Sequence, residues 1–482
     1  MNQTYPILSK PSILSEQKVV EPGQYAQVYF EIIILSLVLG LTPSKSIPLL
    51  LPILALCWFI FRSYSGRVFQ KSMLMITAFV LILGFYFLLY YFQGVNFIVG
   101  SSIVSIITYS SFWVLWLLPS RSIADSTSIR RYTSIIKYLI LLESVIGILQ
   151  YVIVVVTRKF NILAGDAVQG TVGLLAFWHE DAGFGNQIFI INMVFLLMFY
   201  VPHVLTTRRG IPVVVLGLIS IMLAGVMHVF LSLMFAGFLA VVFYRPRFLF
   251  SDLLKVAGAA ILVLMLLIPF EFIFPGISKT ALLYVRLYED ENSPKFDAIN
   301  KTLYKLPEKY PTVYLVGLGP GQYSSRAGLI SSGRYLSVKS GLLPNTVSEP
   351  FKEFFSRTWH KYNSNPNRYG NSTMHRPFFS LLSVFAEFGM IGFVALVMGI
   401  FWVFLKMRKM AMWYKSRFKF EYYLSFGLGI IIASLIFISF FENYLETTQA
   451  MFPGLLLFKL FYSYLYEKRK AIEAQEMNGL PA

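Results

Sequence analysis

The sequence predicts an all-α polytopic membrane protein of about twelve transmembrane helices with one large extracytoplasmic loop, and three observations predict it. Hydrophobic residues fill 56% of the 482 positions and charged residues only 13%, about half the share of ~25% found in soluble domains. The apolar residues fall in successive runs of membrane length; a hydrocarbon core of roughly 30 Å takes about 20 helical residues to cross. The runs are interrupted by a mostly polar stretch of about one hundred residues, 276–376. An ordinary water-soluble protein is thereby excluded. The net charge of +17 does not imply nucleic acid, because Lys and Arg sit mainly between apolar runs, where cytoplasmic loops collect them. The lone cysteine, Cys57, excludes an intramolecular disulfide, a CxxC redox pair and a cysteine-rich zinc site.

Residues 1–25 are polar, hold Pro6, Pro11 and Pro22, and lack a cleavable signal pattern. They read as a cytoplasmic segment, with the first span as an uncleaved signal. Nine spans are expected over 26–275, beginning near residues 26, 46, 72, 97, 135, 187, 211, 229 and 254. Three more, over 377–466, begin near 378, 421 and 449, and 467–482 is a cytoplasmic tail. The run 211–244 is too long for one ordinary helix and reads as two short helices meeting near His228; one long tilted helix is the alternative. Orientation follows from the basic connections. Arg62, Arg67 and Lys71, then Arg121, Arg130 and Arg131, then Arg208 and Arg209, then Arg245 and Arg247, and finally 406–419 and 467–470, all fall on one side. The opposite short connections 93–96 and 441–448 carry no Lys or Arg. Both termini are expected to be cytoplasmic.

Two substantial segments then lie outside, 157–187 and the loop 276–376. The long loop holds fourteen Lys or Arg against seven Asp or Glu. Long loops translocate largely regardless of charge, so this excess calls for another explanation, and a polyanionic substrate is one. Within it, 295–309 reads as an amphipathic helix with Ala298, Ile299, Leu303 and Leu306 on one face. VGLGPGQYSSRAG at 316–328 has glycines alternating with Leu318 and Pro320. That pattern makes tight turns whose amides, including those of Gly319 and Gly321, can receive anionic oxygens. It is neither a Walker motif nor GxGxxG. Arg326 offers a planar fork to a phosphate; a structural turn with a solvated arginine is the bland alternative.

His375 and Arg376 stand where the loop enters the tenth span. An imidazole there suits a general base, and the guanidinium suits anion binding; both also suit simple interfacial anchoring. Glu387 lies inside the apolar run beside Gly389 and Gly392, where a carboxylate is expensive and is paired or functional. A structural hydrogen bond or ion pair within the bundle is the favoured role. His179 in FWHEDAGFGN, 177–186, has no HExxH-like spacing, so no metal is expected. His228 lies at the predicted outer hairpin, whereas His203 and His360 read as solvent or interface residues.

Taken in order, these residues resemble the bacterial O-antigen polymerase and O-antigen ligase superfamily. The match rests on QGTVG at 169–173 with Gly185 and Asn186, then a close helix pair, then the loop with GLGPGQYSSRAG. It ends in a His before a run containing Glu387, Gly389 and Gly392. It covers roughly 169–405. The resemblance implies a GT-C-like, inverting, metal-independent glycosyltransferase of the inner membrane, without a cofactor. Its donor would be a glycan linked through pyrophosphate to a polyprenol lipid. By position, His375 matches the base that deprotonates the acceptor sugar, and Arg286 and Arg326 match pyrophosphate contacts. Two departures stand out. Where relatives carry a basic residue on the short helix pair, this chain reads GVMHVFLSL at 225–233, so His228 substitutes or other residues hold the donor. Where relatives often have His-Asn, this chain has His375 and Arg376.

The preferred expectation is a polysaccharide polymerase that joins lipid-linked repeat units into a surface or exopolysaccharide, alongside a flippase and a chain-length regulator as partners. The alternatives are a ligase that moves a finished glycan to a lipid acceptor and, in a different class, a lipid-linked oligosaccharide flippase. A flippase calls for charges through the membrane depth and no large ordered loop; few ionisable residues in the spans and a large loop favour the enzyme.

Overall fold

The computed structural model describes residues 22–41, 48–63, 65–93, 95–119, 126–157, 168–172, 174, 185–244, 282–284, 286–332, 346–364 and 376–478. Every regular element among them is helical. Before the loop these are α1 (Pro22–Gly40), α2 (Leu51–Ser63), α3 (Gly66–Phe92), α4 (Val99–Thr108), α5 (Ser110–Leu117), α6 (Ser126–Thr157), α7 (Gly185–Thr207), α8 (Ile211–Leu223) and α9 (Met227–Tyr244). The loop holds α10 (Pro294–Asn300), α11 (Leu306–Lys309), α12 (Arg326–Ser331) and α13 (Arg357–Ser364). After it come α14 (Ser380–Tyr414), α15 (Lys419–Ile438) and α16 (Thr448–Met477).

Five described helices are long and apolar enough to cross a membrane: α3, α6, α7, α14 and α15. The pair α4 and α5, bent by 61° between them, makes a sixth if it counts as one broken span. The other expected spans fall on shorter or more charged helices, or outside the described residues. α2 and α8 have 13 residues each, about 20 Å of helix, well short of a hydrocarbon core. α16 is long, but its last eleven residues, from Glu467 on, are mostly charged. The span expected near residue 254 lies outside the described residues. The run 211–244 is two helices, with Gly225 turning between them at φ 68° and His228 in the first turn of α9.

α7 and α15 form the centre. Two thirds of the apolar window of each is buried, against 11% for α3 and α14, whose Leu81, Ile82, Ile391 and Met398 are exposed. α15 packs on α14, α9 and α7, while α16 packs on α7, α5 and α2. Broken helices inside a membrane leave carbonyls that need donors. At the end of α5 Lys459 supplies them, its Nζ donating to the carbonyls of Leu115 and Leu118.

α14 breaks in the same sense at Gly389, where φ is 66° and ψ −168°. The loop backbone fills the break, with the Leu315 carbonyl accepting from the Ile391 N–H at 3.3 Å. Here the stretch expected to be wholly outside descends among the helices. Tyr86, six residues short of the end of α3, donates to the Val316 carbonyl at 2.5 Å, which puts Val316 about 9 Å below that helix end. Above it, residues 294–309 are helical throughout, with a π-helical turn at Lys301–Lys305. Ala298 and Leu306 are fully buried, and Ile299 and Leu303 are packed against the same cluster. Phe351, Phe355 and Phe378 stack in that core, with centroids 4.4 and 4.2 Å apart.

A Cβ on Gly389 would lie 2.3 Å from the Leu315 carbonyl oxygen, on a backbone that L side chains rarely adopt. Gly389→Ala is expected to destabilise the protein by about 2 kcal/mol or more. Gly399→Ala, whose Cβ meets nothing within 4 Å, should leave the thermal stability of detergent-solubilised protein, followed by size exclusion, at least as high as before.

Candidate functional site

The descending loop is held by one carboxylate. Glu387, fully buried near the break in α14, accepts from the N–H groups of Gly321 at 2.6 Å, Tyr323 at 3.1 Å and Ser325 at 3.0 Å. Positive φ at Gly317, Gly319 and Gly321 curls the chain so that these amides converge. The other polar groups are matched as well. Leu318 N–H donates to the Ala386 carbonyl at 2.9 Å and Gly319 N–H to the Glu387 carbonyl at 2.8 Å. Ser102 Oγ donates to the Pro320 carbonyl at 2.7 Å. The Gln322 side chain accepts from Ile98 N–H at 3.2 Å and donates to its carbonyl at 2.9 Å. Non-helical backbone at membrane depth persists only when protein satisfies it in this way. The expectation that the amides of Gly319 and Gly321 bind a ligand's oxygens is therefore corrected: the protein's own Glu387 occupies them.

Beyond Ser325 the loop delivers Arg326 into a buried cluster built around the turn 439–447 between α15 and α16. Arg326 donates through its backbone N–H to Glu446 and through Nη1 to Thr447 Oγ1. Arg376 pairs through Nη1 with Glu442 Oε1. Lys295, fully buried at the start of α10, donates to the carbonyls of Phe441 at 2.6 Å and Arg376 at 3.1 Å, with its Nζ 5.2 Å from the Phe379 ring centre. His228 reaches the turn through Nε2, 2.5 Å from the Tyr444 hydroxyl, and Nδ1 lies 3.3 Å from that of Tyr284. Asn443 and Ser383 tie the turn to Ser324.

Burial shapes the charge here. It pushes Lys295 down to about 7, with Arg376 adding to the shift and Glu442 opposing it. Glu446 is pushed up to about 8 by burial and by repulsion from Glu387. Arg326 falls to about 10 and stays cationic at neutral pH. The cluster therefore has an excess of positive charge with little water to screen it, which favours an anionic ligand. Among the described residues Glu442 Oε2 is buried without a hydrogen-bond partner, an acceptor that a hydroxyl donor on a ligand would satisfy.

The structure thus gathers Arg326, Arg376 and His228 into one network. Arg286 is exposed, two residues from Tyr284. His375 lies outside the described residues, next in the chain to Arg376. Asn186 is buried at the start of α7, beside a segment that docks on α6. There Gln150 accepts from the N–H groups of Gln169 and Gly170, both at 2.8 Å, and Glu143 accepts from the Thr171 N–H at 2.9 Å.

Sequence reasoning missed Lys295, Glu442, Tyr444 and Glu446. The segment FENYLETT, 441–448, entered only as a connection without Lys or Arg; its two glutamates facing a basic loop were the available signal. Lys295 was hidden on an apparent surface helix.

The Lys295 shift has a checkable sign. Its proton is lost as pH rises through about 7 in the folded protein but only near ~10.4 in the unfolded chain, so this group adds stability as pH rises across that window. Over the same rise the site loses a cation, beside Glu442, Arg376 and His228. An anion held here whose own charge is constant near neutrality should bind about tenfold more weakly, the ~1.4 kcal/mol separating a charge-assisted hydrogen bond from a neutral one. Calorimetry on Lys295→Met should show a smaller step, the remainder belonging to Glu446, which becomes anionic as pH rises through about 8.

No protein-family model matches this chain, and no curated protein matches it.

Proposed function

We propose that the protein is a membrane glycosyltransferase that polymerises polyprenyl-pyrophosphate-linked oligosaccharide repeat units into a surface or exopolysaccharide. In this reading it is an inverting, metal-independent, GT-C-like enzyme of about twelve spans in the bacterial inner membrane, with both termini cytoplasmic. The observation that carries the reading is the set of three basic side chains, the buried Lys295 and Arg326 and the part-exposed Arg376, converging on one turn at the base of the polar loop. Cations in such excess are costly to bury without an anion, and a pyrophosphate reaching in from a lipid supplies one.

The chemistry follows from charge and position. The donor's prenyl tail stays in the bilayer, and its pyrophosphate meets Arg326, Arg376 and Lys295, with Arg286 at the exposed rim. The acceptor sugar's hydroxyl gives its proton to His375 and its oxygen attacks the anomeric carbon. The bond from that carbon to the phosphate oxygen breaks with inversion, and lipid pyrophosphate leaves with the electron pair. The fixed cations stabilise the charge gathering on the leaving group, and binding supplies the alignment. Glu442 Oε2 offers a further acceptor for a sugar hydroxyl.

The test uses purified protein in nanodiscs with a lipid-pyrophosphate-linked repeat unit, without nucleotide or metal. A ladder of products is expected, lost in His375→Ala. Arg326→Lys, which keeps the charge but not the planar fork, should slow turnover about tenfold or more. Product only when a distinct lipid acceptor is supplied would make the protein a ligase. Movement of the lipid-linked unit across a sealed bilayer with no new bond would make it a flippase.

A further inference from the structure

The end of the bundle away from the polar lobe carries a groove whose polar groups the fold leaves unused. It lies between α7, α9 and α15, measures about 860 Å³ and is lined on α15 by Tyr422 and Phe426. Those residues stand about 20 to 25 Å along α15 from the 439–447 turn, so the groove is separate from the cation cluster. α7 and α15 touch inside it at Gly427, where a Cβ would lie 2.9 Å from the Met198 carbonyl oxygen. Pro202, four residues on in α7, has no N–H to give to that carbonyl. The surrounding walls are apolar, from Val201, Leu205, Val241, Phe426 and Ile430.

The polar groups are few and specific. Tyr244, Tyr422 and Tyr423 line the same space. Tyr244 is buried, and among the described residues its hydroxyl has no hydrogen-bond partner. The backbone makes room for that hydroxyl, since a Cβ on Gly429 would fall 1.9 Å from its oxygen. Arg408 stands beside it. It is one helical turn along α14 from Phe404, whose ring packs edge-on to Tyr244 at 5.5 Å, and its charge acts on the Tyr244 hydroxyl. Arg408 Nε is also buried without a partner among the described residues. A buried unmatched donor costs roughly 1–3 kcal/mol, and two together, one of them cationic, favour an acceptor with negative charge. The described lining of the groove holds no acid. Glu421, next in the chain to Tyr422, turns instead to α16, where it accepts from Tyr464 at 2.7 Å and pairs with Lys468 at 2.5 Å.

Position along the helices narrows the kind of anion. After Glu387, charge on α14 returns only at Lys406, and on α15 it ends at Glu421. Arg408, Tyr422 and Tyr423 therefore stand where the apolar stretches end, the level of lipid headgroups and aromatic belts. Val241, Phe426 and Ile430 lie further in. An anion at headgroup level joined to an apolar body is a phospholipid. We propose that this groove binds one anionic phospholipid of the leaflet away from the polar lobe, its phosphate on Arg408 and the Tyr244 hydroxyl and an acyl chain along Val201, Leu205 and Phe426. The lipid braces α7 against α15, the two helices at the centre of the fold.

The test uses delipidated protein in detergent, with native mass spectrometry counting the dioleoylphosphatidylglycerol or dioleoylphosphatidylcholine retained. One phosphatidylglycerol is expected to bind about tenfold or more tightly than phosphatidylcholine, and Arg408→Gln should weaken it about tenfold. Lys409→Gln, which removes an exposed charge next door, should change it by less than about twofold. Tyr244→Phe adds a readout that surface charge does not move. Without lipid this variant should melt no lower than the unaltered protein, because an unmatched hydroxyl is gone, and with phosphatidylglycerol its melting temperature should rise less. Equal retention of the two lipids, equal losses in Arg408→Gln and Lys409→Gln, or an undiminished phosphatidylglycerol response in Tyr244→Phe would each overturn the proposal.

Discussion

Three backbone amides sharing one buried carboxylate hold this fold together where it is least regular. Residues 315–325 run without a helix among α3, α4 and α14, at a depth where an unmatched N–H has no water to turn to. Glu387 answers three such groups at once, and its own carbonyl answers a fourth. An alanine at this position would strand three buried donors, each costing roughly 1–3 kcal/mol. The glycines follow from the same contact. A Cβ on Gly317 would come within 2.3 Å of the Glu387 backbone, and one on Gly321 within 2.1 Å of the Ser101 carbonyl oxygen. The chain can approach α4 and α14 this closely only without side chains.

What the clamp positions is the cation cluster. Arg326 follows Ser325 directly, so the carboxylate that fixes Ser325 also fixes where the guanidinium begins. The turn 439–447 completes the arrangement from the opposite side. Glu442 balances part of the charge, Glu446 accepts from the Arg326 backbone N–H, Asn443 ties the turn back to Ser324, and Tyr444 connects it to His228. α7 and α15, nearly buried, form the rigid centre on which these pieces sit. Arg376 keeps some exposure, 29% of its side chain, which gives the cluster a face toward the polar lobe.

Much of the architecture was legible because hydrophobic length is a direct physical requirement. The helical class, the break in 211–244 and the helix over 295–309 all follow from apolar periodicity and run length. The number of complete spans was less legible, since run length does not distinguish a full crossing from the 13-residue α2 and α8 or from the bent α4–α5 pair. At the site, Arg326, Arg376 and Glu387 stood out as charges in unusual surroundings. The partner of the glycine amides was misread: such amides donate to any carboxylate, and spacing alone does not say whether it comes from a ligand or from some sixty residues further along the chain. Lys295 was invisible for a similar reason, because its ammonium is covered by residues 376–379 and the 439–447 turn, both distant in sequence.

The most direct measurement is an electron cryo-microscopy structure of the protein in nanodiscs with a non-cleavable polyprenyl methylene-bisphosphonate glycan. Oxygens of both phosphonate groups are expected within hydrogen-bond reach of Lys295, Arg326 and Arg376, with 317–325 still docked on Glu387. Bisphosphonate density elsewhere, with those three side chains making only their present internal contacts, would contradict this expectation.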